Sequence, residues 1–437
     1  MTDTPPTLAA GPKISSESGA NSTGVRVLFL GGVVPRHQDN PPIDLTQYGA
    51  LDNAANAYQW NMINGLERQL GSSVQIISAP FISARRGIGR SRRVKGFEWG
   101  HDSSSEGISL SFVDVFGVRN VTREIAVRRA IRRILSETRG HEADHLVVFV
   151  YAMHGPFLQQ LAQIKRLRPL AEICLIVPDL PQHMRDLDNA GRLMRFLKRV
   201  DMRRNQKCLS LVDKYILISV NQAGELCIED RPYLVVEGMV ETEQDDGLGS
   251  EHNISQSPAF RVVYTGQLNE RYGLKDLVDS LDHVRKPDVE LVICGDGQMS
   301  DYLADRAAVD PRVVWLGRVS REESLRWQAS ADVLVNPRQG AADYTKYSFP
   351  SKNLEYLYAG KPVIAYRTEG TPPEYDDHFI YISEPGPAAI AQAIEHVMAM
   401  SESERRTIGE RAKRFVETEK SVDRQMGRVL AFIGGRE

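Results

Sequence analysis

Residues 347–364 read YSFPSKNLEYLYAGKPVI, the pattern of a short helix that leads directly into a buried strand. Pro350 and Ser351 suit a helix start, and the Ser351 hydroxyl can cap free backbone amides. Gly360 is predicted to end the helix, and Pro362 to open the following strand. A helix joined to a buried strand in this way favours an α/β fold with a parallel sheet.

The same alternation continues through both halves of the chain. Apolar runs of five to eight residues follow one another between helical patterns, and their near-continuous Val, Ile and Leu content is typical of strands buried on both faces. The predicted strands are Val25–Leu30, Val74–Ser78, Ser109–Val113, His145–Tyr151, Glu172–Val177, Tyr215–Ser219, Tyr233–Val236, Phe260–Tyr264, Val289–Cys294, Val313–Leu316, Asp332–Asn336, Pro362–Tyr366 and Phe379–Ile382.

Composition divides the chain into five parts. Residues 1–24 are rich in Ser, Thr, Pro and Gly, which predicts a disordered tail. Residues 25–240 and 260–400 carry the alternating pattern and are predicted to be two α/β domains. The acidic stretch 241–259 predicts a linker or surface loop. Residues 401–437 predict helices, and Ser401-Glu402-Ser403-Glu404 has the pattern of an N-terminal capping box.

Charge is distributed unevenly between the two halves. Residues 25–240 contain 29 Lys and Arg against 22 Asp and Glu, whereas residues 241–437 contain 24 against 33. An acidic C-terminal half is not expected to bind nucleic acid, while the basic half can face an anionic membrane or a phosphate-bearing acceptor. Four cysteines without metal spacing predict free thiols in a reducing compartment, which favours a cytoplasmic location.

Glycine-rich turns follow four of the predicted strands. In open parallel sheets, such turns lie at the carboxyl ends of the strands, where a backbone can approach a phosphate closely. Tight turns also use glycine for steric reasons alone, so no single turn decides between these interpretations. The turns are Leu30-Gly31-Gly32-Val33, Tyr264-Thr265-Gly266-Gln267, Cys294-Gly295-Asp296-Gly297 and Leu316-Gly317-Arg318.

The predicted helix after Pro350 carries a charged pair. Its N-terminal amides and Lys352 would together form a site for a diphosphate. Glu355 lies one turn after Ser351 on the same helix face and can accept hydrogen bonds from two ribose hydroxyls. The alternative is an ordinary surface helix with a solvent-facing glutamate, and position alone leaves both interpretations open.

The C-terminal half resembles the family 4 glycosyltransferases, whose donor site is built around a Glu-x7-Glu motif. Glu355 through Ile364 matches the second half of that motif. Asn336-Pro337-Arg338 and Tyr344-Thr345-Lys346-Tyr347-Ser348-Phe349-Pro350-Ser351-Lys352 resemble a branch active in polysaccharide assembly. The likeness covers residues 260–400 well and 25–240 more loosely. It implies the GT-B fold: two Rossmann-like α/β domains facing a cleft. In that fold residues 25–240 would be the acceptor domain and residues 260–400 the donor-binding domain, and the helices of residues 401–437 would pack back across the cleft.

Two departures from this family concern the donor. The first motif glutamate would fall at position 347, which is Tyr347 here, and the nearest acid is Asp343. The loop that starts at Gly266 has Gln267 and Tyr272 where the family usually has basic residues. Arg271, one place earlier, and Lys352 are our candidates to neutralise the diphosphate; a solvated loop role for Arg271 stays open.

Other residues take expected roles from the same resemblance. Gly295 and Gly297 match the glycine turn near the donor, and Gly317-Arg318 matches the loop that meets the nucleotide base. Gly31-Gly32 matches the loop that lies against the donor phosphate.

In the acceptor domain, Asp179 would position the acceptor hydroxyl and His154 would touch sugar or phosphate. A turn or helix-cap role for Asp179 and a structural role for His154 are the alternatives.

The resemblance implies a retaining hexosyl transfer from a UDP- or GDP-sugar to a glycan or lipid-linked acceptor, with no metal and no cofactor beyond the nucleotide-sugar co-substrate. A nucleotide-sugar epimerase, a sugar phosphorylase, and a non-catalytic nucleotide-sugar-binding protein are the alternatives, the last favoured by Tyr347.

Two basic helical stretches remain, Arg123–Arg139 and Arg192–Arg204. The second mixes apolar residues with Arg and Lys, which suits peripheral contact of the basic N-terminal domain with an anionic membrane at its inner face. A buried helix face with a charged rim is the plainer interpretation.

Overall fold

The computed structural model describes residues 24–35, 53–81, 93–100, 107–115, 118–137, 145–180, 192–242, 254, 258–340 and 343–435, without the side chains of 53, 192–199 and 343–344. The predicted tail lies outside the described residues except for Gly24, as does most of the predicted linker. Within the described part of the chain, no helix is long and apolar enough to cross a membrane.

The N-terminal half forms a mainly parallel sheet of eight described strands in the order β10-β9-β8-β7-β1-β2-β5-β4, and β3 pairs separately with β6. Only β4 runs antiparallel within the larger sheet. The strands are β1 (Val25–Gly31), β2 (Gln75–Ser78), β3 (Arg93–Val94), β4 (Phe97–Trp99), β5 (Gly107–Ser109), β6 (Phe112–Val113), β7 (His145–Tyr151), β8 (Glu172–Val177), β9 (Lys214–Leu217) and β10 (Tyr233–Val235). The helices are α1 (Asn53–Leu70), α2 (Arg119–Glu137), α3 (Gly155–Leu158), α4 (Leu161–Leu167), α5 (Arg192–Cys208) and α6 (Asn221–Leu226).

The C-terminal half forms a fully parallel sheet of six described strands in the order β13-β12-β11-β14-β15-β16. The strands are β11 (Phe260–Thr265), β12 (Val289–Cys294), β13 (Val313–Gly317), β14 (Val333–Asn336), β15 (Val363–Ala365) and β16 (Ile380–Tyr381). The helices are α7 (Leu274–Asp279), α8 (Ser300–Val309), α9 (Arg321–Ala329), α10 (Ser351–Tyr358), α11 (Pro387–Ala399), α12 (Glu402–Glu419) and α13 (Val422–Ile433). The predicted α/β fold with two parallel-sheet domains is confirmed.

One predicted strand, Ser109–Val113, is wrong as a single element. Leu110 still donates to the carbonyl of Ser78 at 2.9 Å, but the Ser111 hydroxyl donates to the carbonyl of Val94 at 3.0 Å. The chain therefore leaves the large sheet after β5 and joins the small one as β6. The short strands β3 and β4 were not predicted, because they lack the apolar run that marked the others.

The last two helices join the halves. Ser401 caps α12 in a capping box with Glu404, as the sequence predicts. Helix α13 then packs on α1 and contributes Val422 and Met426 to the core of the N-terminal sheet. The approach is close, because a Cβ placed on Gly65 of α1 would lie 2.5 Å from both of those side chains.

A buried ion pair lies where the chain passes from α12 back to the N-terminal domain. Val240 and the segment after α12 form an isolated bridge, with the Val240 amide donating to the carbonyl of Lys420 at 2.9 Å. The Lys420 ammonium lies 2.6 Å from a carboxylate oxygen of Glu237, and both side chains are almost fully buried. The hydroxyl of Tyr375 donates to the same carboxylate at 2.5 Å. Removing one partner of such a pair is costly, so this contact fixes how the two halves meet.

Candidate functional site

The carboxyl ends of β11, β12 and β13 are tied together by their backbones. The Gly266 amide donates to the carbonyl of Cys294 at 2.9 Å, and the Gly295 amide donates to the carbonyl of Gly317 at 2.7 Å. Gly295 has φ +155°, and a Cβ there would lie 1.9 Å from the Gly266 oxygen. A Cβ on Gly297 would lie 2.4 Å from the carbonyl oxygen of Leu268. Three glycine turns predicted from separate stretches therefore meet at one edge of the sheet.

Glu355 of α10 lies beside this edge in a network of polar contacts. One of its oxygens accepts from the Lys352 ammonium at 2.7 Å and from the Gln328 amide at 2.6 Å. The guanidinium of Arg321 is 3.5 Å from the other oxygen. The Gln328 amide also donates to the Thr265 hydroxyl at 3.0 Å, which ties the carboxylate to the end of β11. The side chain of Glu355 is only 20% exposed, so it is not an ordinary solvent-facing glutamate.

The charge state of Glu355 follows from these contacts. Burial on its own would raise the pKa of the carboxyl, but the nearby charge of Lys352 and hydrogen bonds from Lys352 and Gln328, with the charge of Arg321, hold the pKa below its usual value. The group is therefore an ionised, acceptor-only carboxylate at neutral pH.

The start of α10 differs from the sequence prediction. Pro350, in an extended conformation, occupies the N-cap position, and no side chain within the described residues caps this helix. Ser351 is instead the first helical residue and its side chain is exposed. The prediction that Ser351 caps the helix is wrong, because the helix begins one residue too early for its hydroxyl to reach the free amides. Gly360 follows the helix with φ +71°, as expected of a helix end.

The predicted residues Arg271 and Arg318 lie on loops of the same domain, as does Arg338. Arg271 is exposed in a 3₁₀ turn, with its guanidinium carbon 5.8 Å from the ring centre of Tyr272. Arg338 lies 5.4 Å from the same ring centre and donates to the Ser348 hydroxyl at 3.3 Å. Arg318 is exposed directly after β13.

Sequence reasoning missed three side chains that border the site: Arg338, Gln328 and Arg321. Arg338 belongs to the Asn336-Pro337-Arg338 motif and could have been found there, whereas Gln328 and Arg321 carry no local signal.

Gly31 and Gly32 have a packing role in the N-terminal domain. The Gly32 amide donates to the side-chain oxygen of Gln59 at 2.8 Å, and a Cβ on Gly32 would lie 2.3 Å from the ring of Phe81. A Cβ on Gly31 would lie 2.4 Å from the same Gln59 oxygen. Close packing therefore accounts for both glycines, and the Gly32 amide already has an acceptor.

His154 follows β7 in an aromatic and cationic environment. The rings of Phe81 and Phe157 meet the imidazole edge-on at 5.3 and 5.2 Å between ring centres, and the guanidinium of Arg123 is 3.5 Å from its Nε2. Burial lowers the pKa of His154 to about 3, with the charges of Arg123 and Arg119 acting in the same direction. Its Nδ1 is buried without a hydrogen-bond partner among the described residues. The imidazole is thus neutral and keeps one nitrogen for a further hydrogen bond.

Asp179 lies at the neighbouring strand end. It follows β8, which pairs with β7 through Tyr151 and Ile176, and its side chain is exposed. The structure thus places His154 and Asp179 after the carboxyl ends of neighbouring strands in the N-terminal sheet. Lys352 and Glu355 lie in the other domain.

The ionised state of Glu355 gives a prediction for stability. Because its pKa is lowered on folding, its stabilising contacts are complete above the ordinary glutamate pKa and are lost as the pH falls through the lowered value. We expect Glu355→Gln to reduce the free energy of unfolding by about 2 kcal/mol at pH 7. Denaturant unfolding of both proteins should show the difference shrinking below about pH 4.5. A difference that does not depend on pH would contradict the assignment.

Comparison with known proteins agrees with this architecture. Residues 259–400 match the sequence profile of the family described as glycosyl transferases group 1. An uncharacterized glycosyltransferase of Methanocaldococcus jannaschii is 26% identical over 202 residues, a match that covers 42% of this chain and 50% of the relative. The chain thus aligns with about half the length of that relative.

Solved structures resemble the whole chain. Sucrose-phosphate synthase of Thermosynechococcus elongatus superposes with a TM-score of 0.64 at 15% identity, covering 94% of this chain and 100% of that one. HepE of Anabaena, solved in complex with UDP, gives a TM-score of 0.58 at 14% identity, covering 93% and 99%. The chain therefore has the two-domain GT-B fold, and its residues 259–400 carry the sequence pattern of the group 1 glycosyl transferases.

Proposed function

We propose that this protein is a retaining glycosyltransferase that moves a hexose from a nucleotide-sugar donor to a glycan or lipid-linked acceptor. One observation carries the proposal: an ionised carboxylate and a lysine, Glu355 and Lys352, lie together on α10 beside the glycine turns of a parallel sheet. Ligands of such sheets bind at the carboxyl ends of the strands, which is where this pair lies.

Glu355 is proposed to accept hydrogen bonds from the ribose of the donor. Gln328 and Arg321 would keep the carboxylate in place and ionised when Lys352 turns away from it. The Lys352 side chain is 38% exposed and can exchange its contact with Glu355 for a diphosphate oxygen. Because HepE has been solved with UDP and with UDP-glucose, UDP-sugars are the first donors to test, followed by GDP-sugars.

Transfer from a nucleotide-sugar places a growing negative charge on the departing diphosphate. We propose that Lys352 and Arg271, together with the uncapped amides at the start of α10, stabilise that charge without a metal. In the N-terminal domain, Asp179 is proposed to orient the acceptor hydroxyl. His154 is neutral, so it would contribute a hydrogen bond to sugar or phosphate rather than a charge.

The test combines donor binding with turnover. Glu355→Ala should raise the dissociation constant of the donor about tenfold to a hundredfold, because it removes hydrogen bonds to a charged group. Lys352→Ala should lower kcat about a hundredfold or more, since it removes stabilisation of the leaving group. Binding is measured by calorimetry and turnover by release of the nucleotide, with and without a chelator. Arg406→Ala, which breaks a surface pair with Glu410 on α12, is the matched control.

Other results would separate the alternatives. Donor binding without turnover on any acceptor would indicate a non-catalytic binding protein. A donor converted to its epimer, or a sugar phosphate formed from a glycan, would indicate an epimerase or a phosphorylase. A strict requirement for magnesium would contradict the metal-free mechanism.

We further propose that the protein works in the cytoplasm and touches an anionic membrane through its N-terminal domain. All four cysteines lie in the described part of the chain and are free thiols, which suits a reducing compartment. Helix α2 exposes Val121 and Ile125, followed along the helix by the exposed Arg128, Arg129 and Arg132. Helix α5 adds the exposed Val200 and Met202 with Arg203, Arg204 and Lys207.

An ion pair links the two helices, because the Arg204 guanidinium of α5 lies 3.5 Å from the Glu124 carboxylate of α2. We propose that the exposed apolar and basic side chains of both helices together form one membrane-facing surface. Such a surface suits an anionic bilayer, where apolar side chains enter the interface and cations meet lipid phosphates.

Vesicle co-sedimentation tests this surface. We expect binding to phosphatidylglycerol vesicles that weakens steeply between about 50 and 300 mM salt, and no binding to neutral phosphatidylcholine vesicles. Val121→Ser with Ile125→Ser should weaken binding severalfold, because both side chains are exposed and their loss should leave the fold intact. Binding that is absent or independent of salt would leave the surface as a solvated helix face.

A further inference from the structure

Residues 345–349 of the C-terminal domain dock against α6 of the N-terminal domain; we name this contact the α6 clamp. The Ser219 hydroxyl and the Asn221 side-chain amide both donate to the carbonyl of Lys346, at 2.8 and 2.9 Å. The Gln222 side chain donates to the carbonyl of Tyr347 at 3.1 Å. The hydroxyl of Tyr347 returns a bond to the Glu225 carboxylate at 2.8 Å.

A second loop takes part in the clamp. The Asn221 amide also donates to the carbonyl of Glu369 at 3.2 Å. Next to it, a Cβ on Gly370 would lie 2.4 Å from the carbonyl oxygen of Ser348 and 2.8 Å from that of Thr345. The loop at Gly370 therefore supports residues 345–348 from behind while Asn221 binds both loops at once.

The two domains also exchange apolar side chains at this contact. The ring of Tyr347 packs against the hydrophobic core on one face of the N-terminal sheet. In return, Ile218 of the N-terminal domain is buried with Phe349 and Leu354 in a hydrophobic cluster of the C-terminal domain. Specific hydrogen bonds and apolar packing thus occur together, so the clamp has one defined geometry.

A series of side-chain contacts connects the clamp to the proposed donor site. Ser348 accepts a hydrogen bond from Arg338, and the Arg338 guanidinium lies against the ring of Tyr272, which also faces Arg271. In the other direction, the chain passes from the clamp through Pro350 directly into α10, which carries Lys352. A displacement of residues 345–349 would therefore reach both proposed phosphate-binding cations.

We propose that Tyr347 is a positioning residue for the donor: its bond to Glu225 holds the two domains closed and thereby aligns α10 and Arg338 for donor binding. This inference rests on the proposed function. It gives the side chain at the position of the expected motif glutamate a role between the domains, in place of a contact with the donor sugar. If only a fraction of the molecules has its two domains closed, the apparent dissociation constant of the donor equals the constant of the closed form divided by that fraction.

The test uses graded changes at the two partners. Tyr347→Phe removes only the hydroxyl and should raise the donor KM about threefold to tenfold. Its kcat should stay within about twofold, because saturating donor itself favours the closed state. Tyr347→Glu places a carboxylate against Glu225, so it should raise KM further and increase the radius of gyration in small-angle X-ray scattering without ligand. Tyr347→Glu combined with Glu225→Lys restores attraction and should return both values toward those of the wild type.

Tyr381→Phe is the matched control, because the Tyr381 hydroxyl donates to Asp376 at 3.1 Å within the C-terminal domain. This variant should change neither the donor KM nor the radius of gyration. No effect of Tyr347→Phe and Tyr347→Glu, or failure of the double variant to recover, would overturn the clamp. Higher activity of Tyr347→Glu would also overturn it, since the residue would then contact the donor sugar. If the wild type turns over no nucleotide-sugar, the proposed function is wrong. The radius of gyration of the wild type and the Tyr347 variants, measured without ligand, would still test whether the clamp holds the domains closed.

Discussion

Backbone hydrogen bonds between glycine turns hold the carboxyl ends of β11, β12 and β13 together, and the candidate site is assembled on this edge. Gly295 has no room for a side chain, because a Cβ there would lie 1.9 Å from the Gly266 carbonyl oxygen, so glycine is what lets these turns pack together. The polar groups come from the helices instead. Gln328 of α9 contacts both Thr265 and Glu355, and this fully buried side chain fixes the carboxylate of α10 relative to the sheet. The charge state of Glu355 therefore depends on two helices, since α10 supplies Lys352 and α9 supplies Gln328 and Arg321.

Two contacts between the domains differ in a way that suits different roles. Lys420 and Glu237 are almost completely buried, so removing Lys420 would leave the Glu237 carboxylate uncompensated away from water. The bond between Tyr347 and Glu225 is exposed, so its loss should cost less than the loss of the buried ion pair. The first contact fixes the place where the chain crosses between domains, while the second belongs to the α6 clamp that we propose holds them closed.

The sequence was sufficient for features encoded locally. The apolar runs predicted nearly all the long parallel strands, and the glycine turns and the end of α10 at Gly360 followed from simple steric rules. Contacts between residues far apart in the chain could not be predicted from the sequence. Gln328 is 27 residues from Glu355, and Glu225 is 122 residues from Tyr347. The prediction that Ser351 caps α10 was wrong because Pro350 occupies the N-cap position. The sequence does not determine the start of a helix to within one residue. The strand at Ser109–Val113 failed because its two ends pair with different partners.

Hydrogen–deuterium exchange of the wild type with a panel of UDP- and GDP-sugars tests the central claim, a donor site on the C-terminal sheet edge, most directly. A donor that binds should slow amide exchange in residues 265–270, 294–300 and 351–358, where the glycine turns and α10 lie. The same donor at the same concentration should give less protection in Glu355→Ala. Protection confined to the N-terminal sheet, with none in these three segments, would contradict the account.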